Sequence, residues 1–317
     1  MDSARVFPTV PSNRKIDPRR RRGPFKADGS VADNDRVEIG PTALAFREWE
    51  ELGLTPPTLS RMREYRLQRI VGELQKRDLA GVLLFDPLNI RYATDTSNMQ
   101  LWIAHNPARA CFVSAAGHVI LWDFHNCEHL SAHLPLVNEV RGGAAFFYFE
   151  TGHRTEEHAA RFAAEIQSVL QDQAGSNKRL AVDTIETVGF TQLQRRGIEI
   201  TDGQKVMELA RSIKNTDEIN AMRCALASTE IAMKRMQQAS VPGVTENDIW
   251  SILHAENIRR GGRVDRMPPA VVRPSHQPLV SGVRPPGGAG RGSAGLRQRP
   301  DRPLWHVCRY FPDLVDR

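Results

Sequence analysis

Few side chains in this sequence stand at spacings that could do chemistry unaided. The four cysteines, Cys111, Cys127, Cys224 and Cys308, share no C-x-x-C or other metal-type spacing. Cys111 and Cys224 read as small apolar core residues rather than reactive thiols. Met222, Met233 and Met236 recur at helical spacing and read as core filler, not as a ligand box. Residues 19–22 are four consecutive arginines, a run that attracts nucleic acid or anionic surfaces. No aromatic residue interleaves with them as a base-stacking platform needs, so a solvated arm is the plainer reading and nucleic acid is not an expected partner.

The elements that must position any site come next. A chain of 317 residues is long enough for two domains. It holds no apolar run long enough to span a bilayer, and residues 1–40 lack a basic-then-apolar leader. The expected location is therefore cytoplasmic, with no membrane partner. Residues 1–57 read as an arm, with one short helix over 42–52 stopped by Gly53. Ser60 reads as the N-cap of a helix reaching 76 or 77. The run Val82-Leu83-Leu84-Phe85 predicts a buried strand, ended by the turn pair Asp86-Pro87. Residues 89–92 read as a short extended piece. Residues 110–113 and 119–122 flank Ala116-Gly117 as a hairpin.

A further strand is predicted over 145–149, a strong amphipathic helix over 156–171 and a strand over 179–182. A helix over 188–195 and a last strand over 198–200 follow. Strands alternating with helices predict an α/β layer domain over 58–203. From Asp202 the pattern turns helical. Residues 206–211 form one turn or two. Thr216 then reads as the cap of a long helix, with Ile219, Met222, Leu226, Thr229, Met233 and Met236 inward. Pro242-Gly243 ends it, and Thr245 with Asp248 opens another helix as a capping box.

Several motifs in this frame resemble a known family. Arg211-Ser-Ile-Lys214, Asp217-Glu218-Ile219 and Met222-Arg223-x-Ala225 resemble the linker and first helix of the pita-bread metalloenzymes, which include creatinase, prolidase and aminopeptidase P. Asp86-Pro-Leu-Asn-Ile-Arg-Tyr-Ala-Thr94, Asn98-Met-Gln-Leu-Trp102, His105-Asn-Pro107, Leu121-Trp122-Asp123 and His254-Ala-Glu-Asn-Ile258 are similar to the DddP-type dimethylsulfoniopropionate lyases. The resemblance implies a creatinase-type α/β domain followed by a pita-bread domain, in a cytoplasmic homodimer. It implies cleavage of dimethylsulfoniopropionate to acrylate and dimethyl sulfide at a dinuclear divalent metal site. The substrate's sulfonium is a fixed cation, and aromatic faces suit it. Tyr92 and Trp102, on either side of the polar loop 94–100, are the candidates for substrate binding, with packed core aromatics as the alternative.

The same resemblance exposes a conflict downstream. The family's metal cage begins with an Asp-x-Asp pair beyond His254, with a third Asp, a His and two Glu farther on. After Gly262 this chain offers Asp265, Asp301, Asp313, Asp316, His276 and His306, without that spacing. Residues 263–317 hold ten Arg and nine Pro but no Lys and no Glu, a composition that resembles GC-rich DNA read out of frame. Decoding from the second base of each codon permits the family's Asp-x-Asp continuation. The expectation is a one-base slip near residues 261–263, so that no metal ligand and no catalytic residue remains in frame.

The expected organisation is an arm over 1–57, the α/β domain over 58–203, the start of a pita-bread domain over 204–262 and a disordered tail over 263–317. A natural low-complexity tail, a truncated Xaa-Pro aminopeptidase or prolidase-like enzyme and a non-enzymatic α/β interaction module are the alternatives.

Overall fold

Alternation along the strands sorts the apolar side chains onto two faces of one sheet. The computed structural model describes residues 40–262, apart from 99, 125–126, 128–130 and 132–133. The run at 19–22 and the tail 263–317 lie outside the described residues. The strands are β1 (Gly81–Leu84), β2 (Ala110–Ser114), β3 (Val119–Asp123), β4 (Glu139–Gly142), β5 (Arg179–Val182) and β6 (Glu199–Asp202). Their order is β4-β3-β2-β1-β5-β6. The pair β1–β2 and the hairpin pair β2–β3 are antiparallel, whereas β1–β5, β5–β6 and β3–β4 are parallel.

One face of the sheet carries Leu83, Phe112, Ile120, Trp122 and Val182. These pack against Phe162, Ile166, Val169 and Leu193 of α6 (Thr155–Ala174) and α7 (Thr187–Arg195). The other face carries Val82, Leu84, Cys111, Val113, Leu121 and Ala181. It meets α2 (Leu59–Gln75), α3 (Pro87–Thr94) and α8 (Gly203–Ser212). A period of two puts successive residues on opposite faces, so a sheet covered on both sides reads as unbroken apolar runs. The first turn of α8 presses on the end of β5. A Cβ at Gly203 would stand 2.5 Å from the Val182 carbonyl carbon, so only glycine fits there.

A second body is helical. It consists of α1 (Ala43–Glu51), α9 (Thr216–Ala239) and α10 (Glu246–Arg259). Trp49 of α1 is buried among Ala45, Cys224, Ala225, Ala232 and Leu253, and its indole N–H donates to Ser228 Oγ at 3.1 Å. Arg260 is fully buried and closes the unit through Glu48, at 2.7 and 2.8 Å, and Glu256, at 2.6 Å. The Thr42 amide donates to the Arg260 carbonyl at 3.1 Å. The helix expected inside an N-terminal arm is therefore built into the second body.

Several local expectations change. Residues 89–92 are helical, not extended, because Asp86 caps α3 by accepting from the Leu88 and Asn89 amides, and Pro87 sits at its first position. Residues 145–149 form no strand. They lead into α5 (Tyr148–Thr151), and the edge strand is β4 instead. The cap of α9 is Asn215, whose side chain accepts from the Glu218 amide while Glu218 reaches back to the Asn215 amide. The cap position of α2 is Thr58, two residues before the expected Ser60, and its amide donates to Asp217 Oδ1 at 2.8 Å.

Beyond its first turn, α9 buries mostly small residues, Ala221, Cys224, Ala225, Ala227, Ser228 and Ala232, together with Thr229, which was expected inward. Ile219 and Met233, expected inward, are 41% and 42% exposed. The expected capping box of Thr245 with Asp248 is present.

Candidate functional site

Charged and polar side chains gather at one end of the sheet, where β1, β3 and β5 finish and β2 begins. In the β2–β3 register Ala110 faces Trp122, so Arg109 and Asp123 come opposite one another just beyond the apolar runs. Both are fully buried. Arg109 Nη2 donates to Asp123 Oδ2 at 3.0 Å and to Thr96 Oγ1 at 2.8 Å. Asp123 also accepts from Asn98 Nδ2 at 3.1 Å, Ser131 Oγ at 3.2 Å and the Phe124 amide at 2.8 Å. Its carboxylate is thus fully met, which a buried charge requires. Arg109 Nε and Nη1 have no hydrogen-bond partner among the described residues. This network ties the loop 95–109, which carries Trp102, to the sheet.

A second node lies at the ends of β1 and β5. Asp183 accepts from the Phe85, Asp86 and Thr184 amides at 2.8, 3.1 and 2.6 Å and from Asn89 Nδ2 at 2.9 Å. Burial pushes its carboxyl up to about 6, against those four donors, which favour the charged form. Beside it is a cleft of about 370 Å³, lined in part by Asp86, Ile103, His105, Pro107, Glu186 and Gln204. In sheets with parallel strands, ligands bind outside the carboxyl ends, and the cleft occupies that position.

The two expected aromatic residues are placed differently. Tyr92 is buried in the core of the α2 face. Its hydroxyl donates to the Ala210 carbonyl at 3.2 Å and the Arg66 guanidinium lies over its ring at 5.1 Å. Burial, with the Glu218 carboxylate nearby, raises its phenol above the ordinary value. Trp102 is half-buried on α4 (Gln100–Ile103), edge-on to Phe124 at 5.6 Å and to Phe147 at 6.0 Å. The structure does not bring Tyr92 and Trp102 into one cluster.

The thiols are placed as core residues: Cys111 and Cys224 are buried, and burial pushes them to about 12 and about 11. Among the described residues no three His, Cys, Asp or Glu side chains come together as a metal site. Arg109 and Asp183 carried no role in the sequence reading. A charge directly flanking an apolar strand, combined with the hairpin register, was the signal available for Arg109 and Asp123.

Residues 66–213 match the creatinase/prolidase N-terminal domain family. The dimethylsulfoniopropionate lyase DddP of Roseobacter denitrificans is 50% identical over 256 residues, which cover 79% of this chain and 57% of that one. The lyase of the same name from Roseovarius nubinhibens is 48% identical over 254 residues, covering 78% of this chain and 56% of that one. The chain thus spans a little over half the length of the curated relatives it matches. Among solved structures, an Xaa-Pro dipeptidase from Bacillus anthracis aligns over 62% of this chain and 49% of its own, with 15% identity and a TM-score of 0.46. No helix among the described residues is long and apolar enough to cross a membrane. Residues 66–213 thus carry a creatinase/prolidase N-terminal domain, and the chain is similar to DddP-type lyases at half of the aligned positions.

Proposed function

We propose that this chain holds the N-terminal part of a metal-dependent lyase that cleaves dimethylsulfoniopropionate to acrylate and dimethyl sulfide, and that residues 1–317 by themselves are inactive. The observation that carries the family activity is the 50% identity over 256 residues to a lyase of that name. The observation that carries inactivity is chemical. A dinuclear site needs a cage of carboxylates with one or more His. Residues 263–317 lack Glu and the family's Asp spacing. No step through a metal is therefore assigned to this chain, and the composition of residues 263–317 supports a one-base slip near residues 261–263.

Within this reading the end of the sheet is the part offered to a substrate site completed by a second copy in a cytoplasmic homodimer. Trp102 keeps part of its surface open and lies on the loop held by Arg109 and Asp123, so it is the better of the two aromatic candidates for the sulfonium. The face of Tyr92 is taken by Arg66 of its own chain.

The test compares the 317-residue chain with a frame-restored version. Each is given dimethylsulfoniopropionate and an Xaa-Pro dipeptide, and bound metal is measured in parallel. The expected result is no dimethyl sulfide and no tight metal for the first, and dimethyl sulfide release for the second. Stoichiometric metal in the 317-residue chain overturns the missing-site reading. Peptide hydrolysis without dimethyl sulfide in the restored chain overturns the lyase reading and supports a peptidase. Sedimentation of both chains tests the dimer.

A further inference from the structure

We infer that one face of α2 is a lock for the joint between the sheet body and the helical body, and that Tyr92 is a positioning residue of that joint. The joint is the extended stretch Ile213, Lys214 and Asn215 between α8 and α9. The last carbonyls of a helix have no partner within it, and here side chains of another element supply one.

Arg69 donates to the Leu209 and Ala210 carbonyls at 2.8 and 3.1 Å, and Tyr65 to the Ile213 carbonyl at 3.1 Å. The Tyr92 hydroxyl adds a second donor at Ala210. A cation at a helix C-terminus also complements the helix dipole. Across the joint, Arg61 holds both Asp217 oxygens at 3.0 Å. Arg66 holds Glu218 Oε1 at 3.0 Å, with both side chains 2% exposed or less. Residues 61, 65 and 69 are spaced by four and share one stripe of α2. That stripe grips the end of α8 and the start of α9 together.

Two details give the arrangement a function beyond general stability. Glu218 is shared: one oxygen meets Arg66 and the other accepts from the Asn215 amide at 3.3 Å in the cap of α9. Loss of the Arg66 contact therefore also frees the first turn of α9. Furthermore, a desolvated ion pair contributes little net stability compared with apolar residues of the same volume, but it tolerates only one geometry. Arg66 is in turn stacked on the Tyr92 ring, whose hydroxyl closes the other side of the joint. The angle between the two bodies is thus set from the sheet side by α2 and α3.

Native-state hydrogen exchange on the full 317-residue chain tests this, with tryptic cleavage after Lys214 as a second readout. Tyr92→Phe keeps the ring and its stack on Arg66 and removes one hydrogen bond, worth about 1 kcal/mol or about fivefold in an opening equilibrium. The expected result is about fivefold faster exchange for amides 211–219 and faster cleavage after Lys214, with amides of β1, β2 and β3 at their original rates. Glu218→Gln should raise exchange at the same amides more than a hundredfold. If Glu218→Gln does not fold, Arg61→Gln, at an exposed position of the same stripe, takes its place with an expected severalfold rise. Unchanged joint amides in Tyr92→Phe, or equal acceleration of the sheet amides in every variant, would overturn the inference.

Discussion

Trp122 and Trp49 are both buried, and each donates its indole N–H to a side-chain oxygen, Glu165 Oε1 at 2.9 Å and Ser228 Oγ at 3.1 Å. Their surroundings differ. Trp122 lies on a sheet covered on both faces, edge-on to Phe162 at 5.5 Å and under the Arg141 guanidinium at 5.7 Å. Trp49 lies in a helical body whose core is otherwise small, lined by Ala45, Cys224, Ala225, Ala227 and Ala232, with Leu253 at its margin. The sheet body has used its large apolar side chains. The helical body has packed the small side of α9 and left Ile219 and Met233 at its surface. Close approach of helix backbones is what small residues permit, and it lets α1 serve as cover on one side only. Among the described residues, the sheet body is covered on both faces, and the helical body leaves one side of α9 exposed.

Truncation is the sharpest way to break this contrast. Trp122→Ala removes a large buried ring, its hydrogen bond and its aromatic edge contact, and should cost about 5 kcal/mol in urea denaturation of the sheet body. Trp49→Ala should cost about 3 kcal/mol, felt chiefly by α1, α9 and α10. The indole N–H signals of the two tryptophans, followed through the titration, report each body separately. Loss of both signals at one midpoint in every variant would show that the two bodies unfold as one.

Acid should separate the bodies in opposite directions. Asp183 in the sheet body has a folded value of about 6, above its ordinary 3.8. The fold therefore favours its protonated form. That contribution is full below the unfolded value and is lost as pH rises through about 6. Asp217 is held low by the Arg61 guanidinium. Glu256 is also low, because the Arg260 and Arg259 guanidiniums outweigh a burial effect that pushes it up. Those contributions are present above the unfolded values and are lost as pH falls through the lower, folded ones. From pH 7 to pH 5 the sheet midpoint should rise while the helical one stays level. Below about pH 4 the helical midpoint should fall. A sheet midpoint that drops between pH 7 and pH 5 would exclude the Asp183 assignment.

The smallest effect is expected on the open face. Met233→Lys should change stability by less than about 0.5 kcal/mol, because the side chain is already 42% exposed. It should nonetheless reduce self-association in sedimentation, since exposed apolar side chains on one face promote it. A loss of several kcal/mol would mean that this face is packed in solution.

These contrasts mark how far the sequence was readable. The central strands and α6 declared themselves through unbroken apolar runs and helical periodicity, because nearby residues create those signals. β4 did not, since Glu139-Val-Arg-Gly142 is a short edge strand without alternation. Residues 89–92 misled because the turn chemistry of Asp86-Pro87 also starts helices. The inward face of α9 is legible only in part: Thr229 is buried and Met236 packs on the core, but Ile219 and Met233 are exposed, because tertiary context buries alanine and serine instead. Arg109, Asp123 and Asp183 form a site only across strands, so their roles depend on register and strand order rather than on local spacing. Tyr92 shows the same limit: its residue type suited a cation, and the cation it meets is an arginine of its own chain.

The closure of Gly40–Thr42 on Arg259–Gly261 has a topological consequence. The Thr42 hydroxyl donates to the Arg259 carbonyl at 2.9 Å, and a Cβ at Gly261 would come within 2.3 Å of the Gly40 oxygen. Residues 40–42 and 259–261 therefore lie side by side. A peptide linker of a few residues could join them, so residues 40–262 are suited to circular permutation, with new ends opened at the 115–117 hairpin turn. A fusion attached before residue 40 and one attached after residue 262 would project from the same spot, leaving the sheet end with Trp102 to be probed by labels placed elsewhere.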